Sequence, residues 1–238
     1  MVNAEDKTDG WLMTDQLFIN LLGPLLPWVL VAGFVSILTA FFRFFLLPIF
    51  KGRRGEARVN SRILSRLDPS VYHLIPDMML PVANGTTQID HIIVSRYGIF
   101  VLETKNYTGW IFGGAKQAKW TQVIYKKKSY FQNPLHQNYR HVKALCELTG
   151  LPEKYFISLA VFAGDCTFKT DMPENVVYVR DVVNRIRSFT RQIIPDEIVT
   201  EIISAIQQRA ATVTTEQKSM HVANLRRSHQ ASPTHSRR

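Results

Sequence analysis

The feature that most constrains this chain is the run from Leu17 to Phe42, which contains no charged side chain, followed after Arg43 by a second apolar stretch to Phe50. A helix needs roughly 20 apolar residues to cross the hydrocarbon core of a bilayer, so segment 17–50 is expected to span a membrane once. Pro24 and Pro27 break hydrogen bonds inside a helix and belong at its outer end, which puts the best span at about residues 25–47. Arg43 then lies about one turn from the inner interface, where its stem can snorkel to water. A secretory signal peptide is the competing reading, but that class wants a basic start, and here Glu5, Asp6, Asp9 and Asp15 outnumber Lys7. A buried core helix rarely runs this long without an amphipathic stripe.

Beyond the span come Lys51, Arg53, Arg54 and Arg58, whereas the short N-terminal segment 1–16 is acidic. The positive-inside rule therefore expects the N terminus outside and everything after Lys51 in the cytoplasm, as for a single-pass protein of a bacterial inner membrane. Cys146 and Cys166 form neither a disulfide framework nor a CxxC metal pattern, which suits a reducing compartment. A net charge of +10 points to an anionic partner, nucleic acid or anionic lipid.

The remaining chain reads as one α/β domain over 51–211 and a basic tail over 212–238, too poor in large apolar residues to build a core. Lys51–Gly55 is a connector, and Glu56, Asn60, Ile63 and Leu67 mark one face of a helix ending near Asp68-Pro69. Residues 71–82 form one or two strands, Asn84-Gly85 a turn, and Gln88–Ser95 and Ile99–Lys105 two strands apolar on both faces, hence central in a sheet covered by helices. Further strands with a hairpin near 126–129 precede a helix with Asn133 as N-cap, Pro134 at its first position and Gly150 at its end. Strands over 155–163 and 176–179 and helices over 181–192 and 195–209 complete the domain.

Within the two central strands, Asp90, Glu103 and Lys105 interrupt apolar runs where a charge is costly. If the turn is Arg96-Tyr97, Asp90 faces Glu103 and Gln88 faces Lys105; if it is Tyr97-Gly98, Asp90 faces Lys105. In both registers Gln88, Asp90, Glu103 and Lys105 share one sheet face, unless an odd loop or a bulge intervenes. Two adjacent carboxylates call for a hard divalent cation, Mg²⁺ or Mn²⁺, with the Thr104 carbonyl as a further ligand. Lys105 would orient or deprotonate a water, or stabilise charge on a phosphate. A structural ion-pair cluster closing a hairpin is the plainer alternative.

The run Gln88-Ile-Asp90-His, with Gly98-Ile-Phe-Val-Leu-Glu103-Thr-Lys105-Asn-Tyr-Thr-Gly109, resembles the nuclease-related domain (NERD) family of the PD-(D/E)xK nuclease superfamily. Gly55-Glu56 resembles the family's Gly-Glu start, and Asn133-Pro-Leu-His-Gln137 its Asn-Pro-x-x-Gln helix opening. Ile89 stands where the superfamily usually has proline. The resemblance implies a restriction-endonuclease-like core, a mixed central sheet flanked by helices, with Asp90 and Glu103 as metal ligands and Lys105 as catalytic lysine. It also implies Glu56 as an assisting acid and Gln88 and Gln137 as supporting residues. A Glu in a first helical turn is also favoured by the helix dipole alone. His141 reads as a solvated residue or one backing the site, and His91 and Cys166 as packing residues.

Lys116, Lys119, Lys126, Lys127, Lys128, Arg140 and Lys143 interleave with Trp110, Trp120, Tyr125, Tyr130 and Phe131, a mixture suited to phosphate contacts and base stacking, or equally to a solvated hairpin over core aromatics. The expected function is a membrane-anchored, metal-dependent phosphodiesterase acting on DNA. The alternatives are an inactive nucleic-acid-binding module of the same fold and a scaffold whose basic residues meet anionic lipid.

Overall fold

The computed structural model describes residues 23–43, 47–82, 85–215, 217 and 219–220, with only the backbone of 47–49 and 51. It divides into two compact units at the Lys51/Gly52 boundary. In the first, a 3-10 turn over Gly23–Leu25 leads into helix α1, Leu26–Phe41, with Pro27 in its first turn where no helical N–H is lost. Its side chains are exposed along the whole length, Trp28 at 72% and Ile37 at 71% among them. Among the described residues no helix is long and apolar enough to cross a membrane. The expected span 25–47 is thus described as a shorter helix, because Phe42 and Arg43 leave the α pattern and 44–46 lie outside the described residues. The acidic segment 1–16 and residues 221–238 of the expected tail also lie outside them.

Helix α2, Leu47–Leu64, runs through the glycines and arginines expected to form a connector. Lys51–Gly55 is therefore helical, with Gly55 buried on the same side as Val59 and Ile63. That face packs on a five-stranded mixed sheet. The strands are β1 (His73–Val82), β2 (Gly85–Ser95), β3 (Gly98–Lys105), β7 (Phe156–Phe162) and β9 (Val176–Tyr178), in spatial order β1-β2-β3-β7-β9. Pro76 and Pro81 sit in β1, an edge strand, where a missing N–H is tolerated. β1, β2 and β3 are antiparallel, whereas β3, β7 and β9 are parallel.

Both faces of the sheet are covered, as the apolar content of β2 and β3 requires. Ile93, Phe100, Leu102, Leu159 and Val161 join α2 and α4 (Val182–Arg187) in one core. Ile92, Val94, Ile99 and Val101 join α3 (Pro134–Thr149) and α5 (Asp196–Ala211) in the other. A second mixed sheet, in order β6-β5-β4-β8, is made of β4 (Gly109–Phe112), β5 (Lys119–Ile124), β6 (Lys127–Gln132) and β8 (Cys166–Phe168). Its Ile111 and Trp120 pack on Ala160 and Phe162 of β7. Two mixed sheets flanked by helices fit a nuclease-like core.

Helix α3 has the capping that its sequence calls for. Asn133 Oδ1 accepts the Leu135 N–H, Pro134 follows it, and Gly150 closes the helix in the left-handed conformation at φ 70°. The Asn133 amide also donates to the carbonyls of Gly114, Ala115 and Gln117, tying the β4–β5 loop to the helix start. The expected helix over 181–192 is reduced to the single α4 turn and a half, since Ser188 already ends it. The hairpin expected near 126–129 turns two residues earlier, at Tyr125-Lys126, with Tyr125 at φ 53°.

Candidate active site

The β2–β3 hairpin adopts the first of its two possible registers: Ser95 pairs with Gly98 across Arg96-Tyr97, and the ladder runs to His91 opposite Leu102. There it stops. A continued ladder would carry the Thr104 N–H to Ile89; instead it donates to Asp90 Oδ2 at 2.7 Å. The β1–β2 ladder also passes over this point, pairing Pro76 with His91 and Met78 with Ile89 but omitting Asp77 and Asp90. Asp77 takes a left-handed φ of 50° there. Asp90 is thus left out of both ladders, while β3 continues beside β7 as far as Lys105 opposite Phe162. The sheet opens between β2 and β3, and the carboxylates collect in that opening.

This irregularity breaks strict alternation along β2. Thr87 Oγ1 reaches His141 Nδ1 of α3 at 2.9 Å, and Ile92 joins the core that includes α3, although the two are an odd number of residues apart. The expectation that Gln88 shares the face of Lys105 is therefore corrected: Gln88 pairs with Met79 of β1, and its amide donates to Asp77 Oδ1 at 2.6 Å. The cause is the local turn of both strands at Asp77 and Asp90, which no period-two count can show.

Glu103 is the most enclosed carboxylate of the site, 2% exposed. Its Oε1 accepts from Lys105 Nζ at 2.7 Å, and its Oε2 lies 3.2 Å from His141 Nε2. Lys105 also donates to Gln137 Oε1 at 3.0 Å. Burial by itself would raise the Glu103 carboxyl, but Lys105 and His141 outweigh it and hold the group below its ordinary range. Burial would likewise lower Lys105, and the Glu103 charge outweighs that and keeps the ammonium protonated. In this arrangement Lys105 is a charge donor rather than a free base.

Asp90 behaves in the opposite way. Burial first, then the Glu103 charge, push its carboxyl well above the usual range, and the Thr104 N–H only partly offsets them. Glu56 is also raised, by burial and by the charges of Asp77 and Glu103. It arrives from α2 because Gly55 permits close approach: a Cβ there would stand 2.8 Å from the Asn106 Cβ and 3.4 Å from the Thr104 Cγ2. The structure therefore brings together Glu56, Asp90, Glu103, Lys105 and Gln137, and Thr104 through its N–H.

Three participants lie beyond the predicted set. Asp77 touches the group electrostatically and through Gln88. His141, expected to be solvated or backing the site, is 5% exposed and bonded to Glu103. His91 is fully buried; burial pushes its imidazole down to about 4, and its Nδ1 lies 3.4 Å from Thr104 Oγ1. The spacing of Gln137 and His141, one helical turn apart, was a usable signal for the second of these.

Lys116, Lys119, Lys126, Lys127 and Lys128 are exposed on the second sheet and its loops, and Arg140 and Lys143 are exposed on α3. Lys143 is engaged by Glu153 at 2.6 Å and lies over the Tyr139 ring. The aromatics divide: Trp120 is buried and stacks on Phe162, and Phe131 packs on Tyr107, while Trp110, Tyr125 and Tyr130 are 51%, 97% and 67% exposed.

Among the described residues no three His, Cys, Asp or Glu side chains are gathered as a metal centre. The expected donor set is smaller, two carboxylates and a carbonyl, and Mg²⁺ commonly takes one or two carboxylates and keeps its waters. The chemistry of that set suits such an ion: Asp90 and Glu103 are oxygen donors on neighbouring strands, and the Asp90 carboxylate accepts from the Thr104 N–H beside Glu103.

Comparison with known proteins matches residues 51–163 to the nuclease-related domain (NERD). Glu56, Asp90, Glu103, Lys105, Gln137 and His141 all lie inside that match. An uncharacterized protein of Bacillus anthracis is 44% identical over 158 residues, covering 64% of this chain and 74% of that relative. No solved structure matches.

Proposed function

Because the chain belongs to the nuclease-related domain family, we propose that it is a phosphodiesterase acting on DNA, dependent on Mg²⁺ or Mn²⁺ and held at a membrane by its N-terminal apolar segment. The observation that carries the reading is the opening between β2 and β3, where Asp90 leaves both ladders to stand beside Glu103, Lys105 and Glu56. Asp90 and Glu103, with the Thr104 carbonyl, would hold the cation. Bound there, it supplies Lewis-acid polarisation of a phosphoryl oxygen and a more acidic water. Lys105, kept charged by Glu103, stabilises negative charge developing on the phosphate. Gln137 and His141 fix the positions of Lys105 and Glu103, and Glu56, whose carboxyl is raised by burial, can give or take a proton at the attacking water or leaving oxygen.

Membrane attachment is supported by α1: at 1.5 Å per residue its 16 residues run about 24 Å, with apolar side chains exposed on every side. The basic residues after Lys51 favour a cytoplasmic catalytic domain. The test is cleavage of plasmid and linear DNA by the full chain in detergent, with Mg²⁺, Mn²⁺ or EDTA. Activity in the wild type that disappears in Asp90→Ala supports the reading. Equal absence of cleavage in wild type and Asp90→Ala, with DNA binding retained, would assign the chain instead to an inactive nucleic-acid-binding module.

A further inference from the structure

Along α2, away from the face that packs on the sheet, Arg58, Ser61, Arg62 and Ser65 line an open groove of about 530 Å³ whose far side is Val179 and Arg180. None of these residues belongs to the catalytic cluster or to the lysine-rich set on the second sheet. The groove begins at the sheet end that carries the candidate site. Arg58 Nη1 donates to the Ala163 carbonyl at 2.9 Å, and the Ala163 N–H donates to the Lys105 carbonyl at 2.9 Å. One turn further along α2, about 6 Å on, Arg62 Nη2 reaches the Arg180 carbonyl at 3.2 Å.

Arg62 Nε is buried and has no hydrogen-bond partner among the described residues. A buried donor in that condition costs free energy until an acceptor arrives. Arg180 lies over the Tyr178 ring at 4.5 Å and has Asp181 beside it at 3.4 Å. Three guanidinium groups line the groove against the one carboxylate paired with Arg180, which leaves it cationic. Arginine keeps its charge at any working pH, and its planar fork matches phosphate oxygens; serine hydroxyls add donors of the kind that position a nucleic-acid backbone.

We propose that this groove binds the phosphodiester backbone of the nucleic-acid strand that enters the candidate site, an assignment that rests on the nuclease reading above. Its concavity and the backbone link from Arg58 through Ala163 to the Lys105 carbonyl favour a strand continuing from the site over a lipid headgroup, which a flat basic surface would meet as well. The contacts are to phosphate, so they set affinity and register without selecting sequence.

The experiment measures anisotropy of a short fluorescein-labelled DNA duplex with the full chain in nanodiscs of phosphatidylcholine, with EDTA present to prevent turnover, as NaCl is varied. Arg62→Gln/Arg180→Gln is expected to weaken binding roughly tenfold and to reduce the slope of log affinity against log salt by about 1.8, two phosphate contacts' worth. Arg62→Lys/Arg180→Lys, which keeps both charges, should retain most of the slope, which separates lost contacts from a damaged fold. Unchanged affinity and slope in the Gln variant overturns the groove while wild-type binding and cleavage leave the nuclease reading standing. Loss of the difference between variant and wild type when phosphatidylglycerol is added to the discs assigns the arginines to lipid and also overturns it. A wild-type chain that binds no DNA overturns both.

Discussion

Replacing Lys105 with Met removes the ammonium from Glu103 while keeping most of the side-chain volume. The two groups are 2.7 Å apart, with side chains 16% and 3% exposed, so this is a buried pair rather than a surface one. Breaking such a pair by removing one partner costs about 3–5 kcal/mol, because the survivor stays charged in a poor solvent. His141, 3.2 Å from the other oxygen, favours the lower part of that range. At about 2–4 °C per kcal/mol for a domain of this size, the melting temperature should fall by roughly 6–20 °C. The pH dependence has a definite sign. In the wild type the lowered Glu103 carboxyl contributes stability that is present above its unfolded value and lost as pH falls through the folded one. In Lys105→Met burial is opposed by His141 without the ammonium, so the deficit is greatest near neutral pH and shrinks on acidification, when a protonated Glu103 needs no cation. The pair Glu103→Gln/Lys105→Met should recover to within about 1–2 kcal/mol of wild type, since both charges are gone. Thermal unfolding of the full chain in detergent with EDTA, followed by tryptophan fluorescence from pH 5 to 8, reads all three. A Lys105→Met variant that melts within 2 °C of wild type, or a double variant less stable than Lys105→Met, would refute the account of Glu103 and Lys105 as a coupled buried pair.

Asp90→Asn should melt higher than wild type at pH 7 in EDTA and cleave nothing, because an aspartate whose folded carboxyl is raised costs stability as pH rises above its unfolded value; the gain should fade toward pH 4, and a lower melting point at pH 7 would contradict it. Buried neutral His91, pushed down to about 4 from an ordinary value of 6.5, contributes stability that is lost as pH falls through that interval. His91→Gln should remove roughly 3 kcal/mol of that acid dependence, measured as the slope of unfolding free energy between pH 6.5 and 4. Gly55→Ala gains about 1 kcal/mol in helix propensity but forces a Cβ to 2.8 Å from Asn106, an overpacking cost of about 1–3 kcal/mol, so a net loss near 1 kcal/mol is expected. Its cleavage rate should drop further than that loss accounts for, since Glu56 moves with the helix; an unchanged rate would remove Glu56 from the chemistry.

What could be read from the residues was whatever depends on local rules. The cap of α3 at Asn133, its end at Gly150 and the two-residue turn at Arg96-Tyr97 are all consequences of short-range chemistry, although the turn stood beside an equally simple neighbour until the register was seen. The apolar content of β2 and β3 announced a sheet covered on both faces. Illegible were features set by long-range pairing. Gln88 follows Asp77 because two strands twist out of their ladder together, and His141 reaches Glu103 because α3 crosses the sheet at a particular height. Lys51–Gly55, with its two glycines, reads as a break, yet packing against the Asn106–Thr104 corner rewards a glycine inside the helix.

The threefold amide bonding of Asn133 gives the β4–β5 loop and the first turn of α3 a common mechanical fate. Lys116 is carried by that loop, and Gln137, one turn into the helix, holds Lys105. Tension applied at the loop by whatever Lys116 grips would therefore be transmitted as a displacement of the helix start, and so arrive at the ammonium as a change in its hydrogen bonding. Slowed amide exchange at Leu135 when the loop is loaded would be its signature, with the Asn133 side chain acting as the linkage between a surface that can sense and an interior that can act.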